Sequence, residues 1–178
     1  MTLWRHVFGD DAPVEVEIGP GRGDVLVAFA AAAPERRFFG IERTAGMAEA
    51  IERRAAARGL RNLRAVGGDA RCIVARVVPD ASVAAYHVYF PDPWPKTRHR
   101  ERRLFDDGFG RHLWRTLVPG GRLHVATDLP ALFAAMEAAL ATSGLHRRPG
   151  VPPRERPRTR FETGYAAAGT HAGVWVRP

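Results

Sequence analysis

The stretch "VEVEIGPGRG", residues 14–23, alternates apolar and acidic side chains over five residues and then runs into three glycines at alternate positions. That alternation is the period of a strand, and Gly19, Gly21 and Gly23 let the backbone turn sharply where it ends. "DVLVAFAAAAP" follows, helical in character and stopped at Pro34. Strand, glycine turn and helix form the opening unit of a parallel sheet.

Outward from that unit the pattern repeats. "RRFFGIE" predicts a short strand ending in an acid, and "TAGMAEAIERRAAARG" a helix closed by Gly59. Further strands are expected at 62–66, 84–90 and 122–127, with helices at 71–78, 101–117 and 131–144. This alternation predicts an α/β fold with a parallel sheet and helices on both faces. Ligands of such sheets bind beyond the carboxyl ends of the strands, so the residues just after each strand carry the chemistry. The segment 147–160, "RRPGVPPRERPRTR", holds four prolines and six arginines and predicts an extended surface loop. "AGVWV" predicts a last strand.

A chain of 178 residues, 46% hydrophobic, is long enough for one core and short for two, so a single domain over 1–178 is expected. The longest apolar run has nine residues, far below the roughly 20 of a membrane span. The N-terminus has no secretion signal and Cys72 has no second cysteine to pair with, so a cytoplasmic location is expected. No metal site is expected. The net charge of +8 is uneven: residues 1–90 hold 12 basic and 11 acidic side chains, residues 91–178 hold 15 and 8. That asymmetry favours a polyanionic partner, nucleic acid first, for the second half.

The glycine loop reads G-x-G-x-G, one residue short of the nicotinamide fingerprint. The shorter form, preceded by Glu17, suits a cofactor without a pyrophosphate, such as S-adenosylmethionine. Glu42, 19 residues after Gly23, stands about where such sheets place a carboxylate for ribose hydroxyls. Asp69, in "GGDA", stands where an acid can accept from an adenine amino group or cap the next helix. After the fourth strand comes "PDPWPK", residues 91–96, whose prolines restrict Asp92, Trp94 and Lys96 in advance of any ligand. "RHRERR" then places five potential cations at 98–103, a rail for phosphates.

These motifs, with "GIER", "ATD" and "RTRFE", fall in the order and spacing of the bacterial tRNA (guanine-N7-)-methyltransferases, which this sequence strongly resembles from about residue 12 to its end. The resemblance implies a Rossmann-like class I methyltransferase fold with a mostly parallel seven-stranded sheet, and S-adenosyl-L-methionine as cofactor. It implies cofactor contacts at Glu17, Gly19, Gly21, Glu42, Asp69, Ala70 and Asp92, with Asp92 also the catalytic residue. Lys96, Asp128, Thr159, Arg160, Phe161 and Glu162 would hold the substrate, and Arg98, His99, Arg100, Arg102 and Arg103 would touch RNA. The implied partner is tRNA, methylated on a guanine of the variable loop; whether the protein is a monomer or homodimer stays open. The chain departs from the family in its short extension at 1–12, in Thr163 to Tyr165 after "TRFE", and in an ending without an acid after the last Trp.

Guanine N7 carries a lone pair and no proton, so its attack on a sulfonium methyl needs alignment and electrostatics more than a base. Asp92 is then expected at the junction of cofactor and base, with Asp128 and Glu162 as candidates for guanine's donor edge. Lys96 is a candidate donor to O6 or to a phosphate, and Trp94 or Phe161 a stacking partner. The alternatives are a methyltransferase acting on a small molecule or protein, and an inactive RNA-binding module of the same fold.

Overall fold

The computed structural model describes residues 2–93, 104–151, 154–159, 162–163 and 169–178. Seven strands, β1 (Val14–Ile18), β2 (Arg37–Glu42), β3 (Leu63–Gly67), β4 (Val83–Tyr89), β5 (Leu117–Thr127), β6 (His146–Arg147) and β7 (His171–Val176), form one sheet in the order β3-β2-β1-β4-β5-β7-β6. The first five run parallel, and β7 is antiparallel to both its neighbours. The helices are α1 (Leu3–Phe8), α2 (Asp24–Ala32), α3 (Ala45–Ala57), α4 (Ala70–Arg76), α5 (Asp107–Thr116) and α6 (Pro130–Ala141). The strand order reverses between β1 and β4, which opens a crevice at their carboxyl ends.

The register gives the two faces of the sheet different characters. One row runs Phe39, Val16, Tyr86, Leu123, Trp175 across five strands, and α1, α4, α5 and α6 cover that face through Trp4, Val74, Leu113 and Met136. Burying each such side chain contributes about 1.5–3 kcal/mol. On the other face α2 and α3 pack over Phe38 and Leu63, but the row beside them reads Glu17, His87, His124, Val174. Polar side chains therefore line the sheet floor next to the crevice.

The expected strands and helices appear within a few residues of their expected bounds, with four differences. Residues 3–8 form a helix, where only an extension was expected. Thr2 caps it by accepting from the Arg5 N–H at 3.2 Å, and Trp4, 5% exposed, lies edge-on to Phe39 at 5.4 Å. The described part of the 101–117 helix starts at Asp107, where Asp106 accepts from the Gly108 and Phe109 N–H groups. The "PGG" after it belongs to β5, because Gly120 and Gly121 pair with Arg177. Finally β6, two residues long, adds an edge at the start of the segment expected as loop, with Arg147 over the rings of Phe133 and Trp175.

Candidate active site

The crevice between β1 and β4 has two lobes of about 230 and 250 Å³ that share Gly19, Tyr89 and Phe90 as their common wall. Glu42, Asp69, Ala70 and Asp92 line the first lobe; Glu17, Gly21 and Thr159 line the second. Gly19 and Gly21 take φ of +69° and +55°, and a Cβ on either would meet nothing within 4 Å. Their backbone conformation requires glycine, and the space beside it is open to a ligand. Phe90 has φ +51°, a conformation uncommon for a bulky residue, at the junction of β4 with "PDPWPK".

The acids differ in how they are held. Glu42, 8% exposed, accepts from the Gly21 N–H at 2.9 Å on one oxygen and from the Thr44 N–H at 3.2 Å on the other. It is fixed against the glycine loop, and each oxygen keeps a lone pair for a further donor. Asp69 caps α4 by accepting from the Arg71 N–H at 2.8 Å. Glu17 is 3% exposed and its Oε2 has no partner. Burial pushes its carboxyl up to about 8, against the pull of the Arg156 guanidinium and with help from Asp24 and Glu42. An unpaired buried carboxyl on a cleft wall is a receptor for a cationic donor, which would draw it into its ionised form.

Asp92 is exposed at the rim of the first lobe. Asp128 follows β5, one strand over, and is not among the residues lining either lobe. Trp94, Lys96, Arg98, His99, Arg100, Arg102, Arg103, Arg160 and Phe161 lie outside the described residues.

Thr159 and Glu162 come together as a reciprocal pair. The Thr159 N–H donates to Glu162 Oε2 at 2.7 Å and the Glu162 N–H donates to Thr159 Oγ1 at 3.2 Å. This is the capping box that the spacing T-x-x-E allows, and "TRFE" could have been read that way. Arg156 closes it, donating to both Glu162 oxygens at 2.6 and 3.0 Å while lying 4.3 Å from the Tyr89 ring centroid. Burial raises the Glu162 carboxyl, but its bonds to Arg156 and Thr159 outweigh that and hold it below the usual range.

Sequence reasoning missed the polar row behind the crevice. His87 Nε2 meets Glu15 Oε2 at 2.8 Å, and His87 Nδ1 meets the Tyr89 hydroxyl at 2.9 Å. Arg36 and Arg154 pair with the same Glu15, and Arg154 also lies 4.1 Å from the Phe29 centroid. Burial raises the Glu15 carboxyl, yet His87 and the two arginines prevail and bring it down to about 2. Burial lowers both His87 and its stacked neighbour His124, the latter to about 3, so both rings are neutral at pH 7. With Glu15 ionised, the His87 proton sits on Nε2 and Tyr89 donates to Nδ1. The available clue was the pair of acids on one face of "VEVEI" with two polar residues at the same spacing in "YHVY". Buried polar side chains at strand spacing require partners from elsewhere.

This architecture is that of a class I methyltransferase. Among solved structures the fold matches the 16S rRNA methyltransferase KamB, with a TM-score of 0.72 at 17% identity over 98% of this chain and 93% of that one. It also matches a SAM-dependent methyltransferase from Aquifex aeolicus, with a TM-score of 0.66 at 12% identity over 98% and 93%. A family model described as "Putative methyltransferase" matches residues 11–174. Proteins named tRNA (guanine-N(7)-)-methyltransferase from Pseudomonas putida and Hydrogenovibrio crunogenus are 40% and 36% identical, over 97% of this chain and 73% of each of theirs. The chain belongs to the tRNA (guanine-N(7)-)-methyltransferase family.

Proposed function

We infer that the protein transfers the methyl group of S-adenosyl-L-methionine to N7 of a guanine in tRNA, in the variable loop and in the cytoplasm. The single observation that carries the reading within this family is the Glu17 carboxyl, buried on the cleft wall with Oε2 unpaired beside a glycine loop shaped for close approach. That orphan fits the ammonium of the cofactor's methionine part. The half-used oxygens of Glu42 fit two ribose hydroxyls, and Asp69 fits an adenine amino group. When bound, the cofactor supplies an electrophilic methyl on a sulfonium.

The chain's own residues do the rest. Tyr89 and Phe90 wall the cleft on the side of Asp92. Asp92, on the rim, holds negative charge where the purine becomes cationic, which lowers the barrier without moving a proton. Lys96, Asp128 and the Thr159–Glu162 stretch hold the acceptor, and the arginines at 98–103 grip the RNA backbone. The box formed by Thr159 and Glu162 supports a preset acceptor side, since a fixed geometry reduces the entropy lost on reaching the reactive arrangement.

The test is incubation with cofactor and unmodified tRNA transcripts, followed by borohydride reduction and aniline scission, which cuts at 7-methylguanine. A single cut in the variable loop is expected. Transfer to a metabolite extract with none to tRNA would instead establish a small-molecule methyltransferase, and failure to bind S-adenosylhomocysteine would leave an RNA-binding module.

A further inference from the structure

Arg156 joins three parts of the site. Its guanidinium forks onto both oxygens of Glu162, stacks on Tyr89, and donates to the Pro157 carbonyl at 3.2 Å. The side chains of Arg156 and Glu162 are only 11% and 9% exposed. Tyr89 is the shared wall of both lobes, and Thr159, held by Glu162, lines the lobe that contains Glu17. Two residues earlier, Arg154 fastens the same segment to Glu15, one strand step further from the cleft along β1. The segment is thus fixed at two points, and only the Arg156 point lies at the cleft.

The chemistry of that point is specific to arginine. A planar fork meets both carboxylate oxygens while its flat face rests on an aromatic ring, and a lysine ammonium reproduces neither contact in full. Without the fork, a nearly buried Glu162 keeps only the Thr159 N–H as partner among its described contacts, and a carboxylate in that position moves toward water. The cap then loses its register against Tyr89.

We propose that Arg156 is a positioning residue for methyl transfer, holding the Thr159–Glu162 cap against the Tyr89 wall so that the acceptor side of the cleft is set before the acceptor arrives. The inference rests on the tRNA N7 reading above for its catalytic part, while its structural part stands alone.

The experiment compares wild type with Arg156→Met, Arg156→Lys, Glu162→Gln and the double variant Arg156→Met/Glu162→Gln. Arg156→Met is expected to lower kcat at saturating tRNA at least about tenfold, in line with loss of two charge-assisted hydrogen bonds that fix geometry. Because Arg156 also pulls on Glu17, its loss should weaken S-adenosylhomocysteine as well, so kcat is read at saturating cofactor, where that weakening no longer counts. Arg156→Lys should recover part of kcat, and the double variant should fall no further than the worse single one, because the two residues act as a unit. Hydrogen exchange of the free protein should be faster at the Thr159 and Glu162 amides in Arg156→Met. Wild-type kcat at saturating cofactor and tRNA in Arg156→Met, or additive losses in the double variant, would overturn the proposal. If wild type itself leaves tRNA unmethylated, the functional reading fails, and unchanged amide exchange would then separately remove the structural part.

Discussion

Two carboxylates of one cleft are put to opposite use by their surroundings. Asp92 stands in water at the rim, so removing it leaves the fold alone: Asp92→Ala is expected within about 0.5 kcal/mol of wild type in urea unfolding. Its methyl transfer should fall by about 10²-fold or more, the size of losing a charge placed for the transition state. Near-normal turnover in a folded Asp92→Ala protein would remove this residue from the mechanism. Glu17 is the reverse case, buried and raised to about 8. Because its folded value lies above its unfolded one, its contribution is fully present below the unfolded value and is lost as pH rises through about 8. Glu17→Gln should therefore match wild type in acid and exceed it by at least about 1 kcal/mol at pH 9, one unit being worth about 1.4 kcal/mol. If Glu17 receives the cofactor's ammonium as proposed, the same shift makes binding release a proton at pH 7, as the incoming cation draws Glu17 into its ionised form. Calorimetry in two buffers of different ionisation enthalpy measures this; equal proton release by wild type and Glu17→Gln would assign the proton to another group.

At the scale of elements, the strands and helices whose side chains keep a period were legible because the period follows directly from burying one face. The glycine loop and its three following acids were legible for the same reason: a parallel sheet has one ligand-binding end, and "EIGPGRG", "GIER" and "GGDA" all stand there. The elements that escaped owe their order to distant partners. Six residues of α1 cannot hold a helix by propensity, and they do so because Trp4 finds Phe39 on β2. The arginine-rich segment looked like a solvated loop because its partners, Glu15 and Tyr89, lie far away in sequence, and no local pattern announces a guanidinium that will be covered. If α1 is held by Trp4, then Trp4→Ala should cost about 3–5 kcal/mol in denaturant unfolding, the usual loss for a buried tryptophan. A cost under about 1 kcal/mol would mean that the helix contributes little to the core.

For the whole molecule the deciding quantity is where the sequence concentrates positive charge. Arg36, Arg54, Arg71, Arg115, Arg147, Arg154 and Arg156 each pair with an acid of the fold, and those acids are thereby used up. Residues 96–103 hold Lys96 and four arginines against Glu101 alone, so the surplus of the basic half concentrates directly after the cleft acid Asp92. The described residues on either side of that run, Asp92 and Leu104, both line the first lobe. Each phosphate held by the run releases condensed counterions and steepens the dependence of binding on salt. Changing Arg98, Arg100, Arg102 and Arg103 to alanine should therefore flatten the slope of log K against log salt by about 0.7–0.9 for every phosphate no longer neutralised. S-adenosylhomocysteine affinity should stay unchanged if those arginines serve the RNA alone, the described walls of both lobes being built from other residues. Filter binding of tRNA across a salt series reads the slope directly. A slope identical to wild type would return those arginines to solvent and move the RNA grip to another part of the basic half.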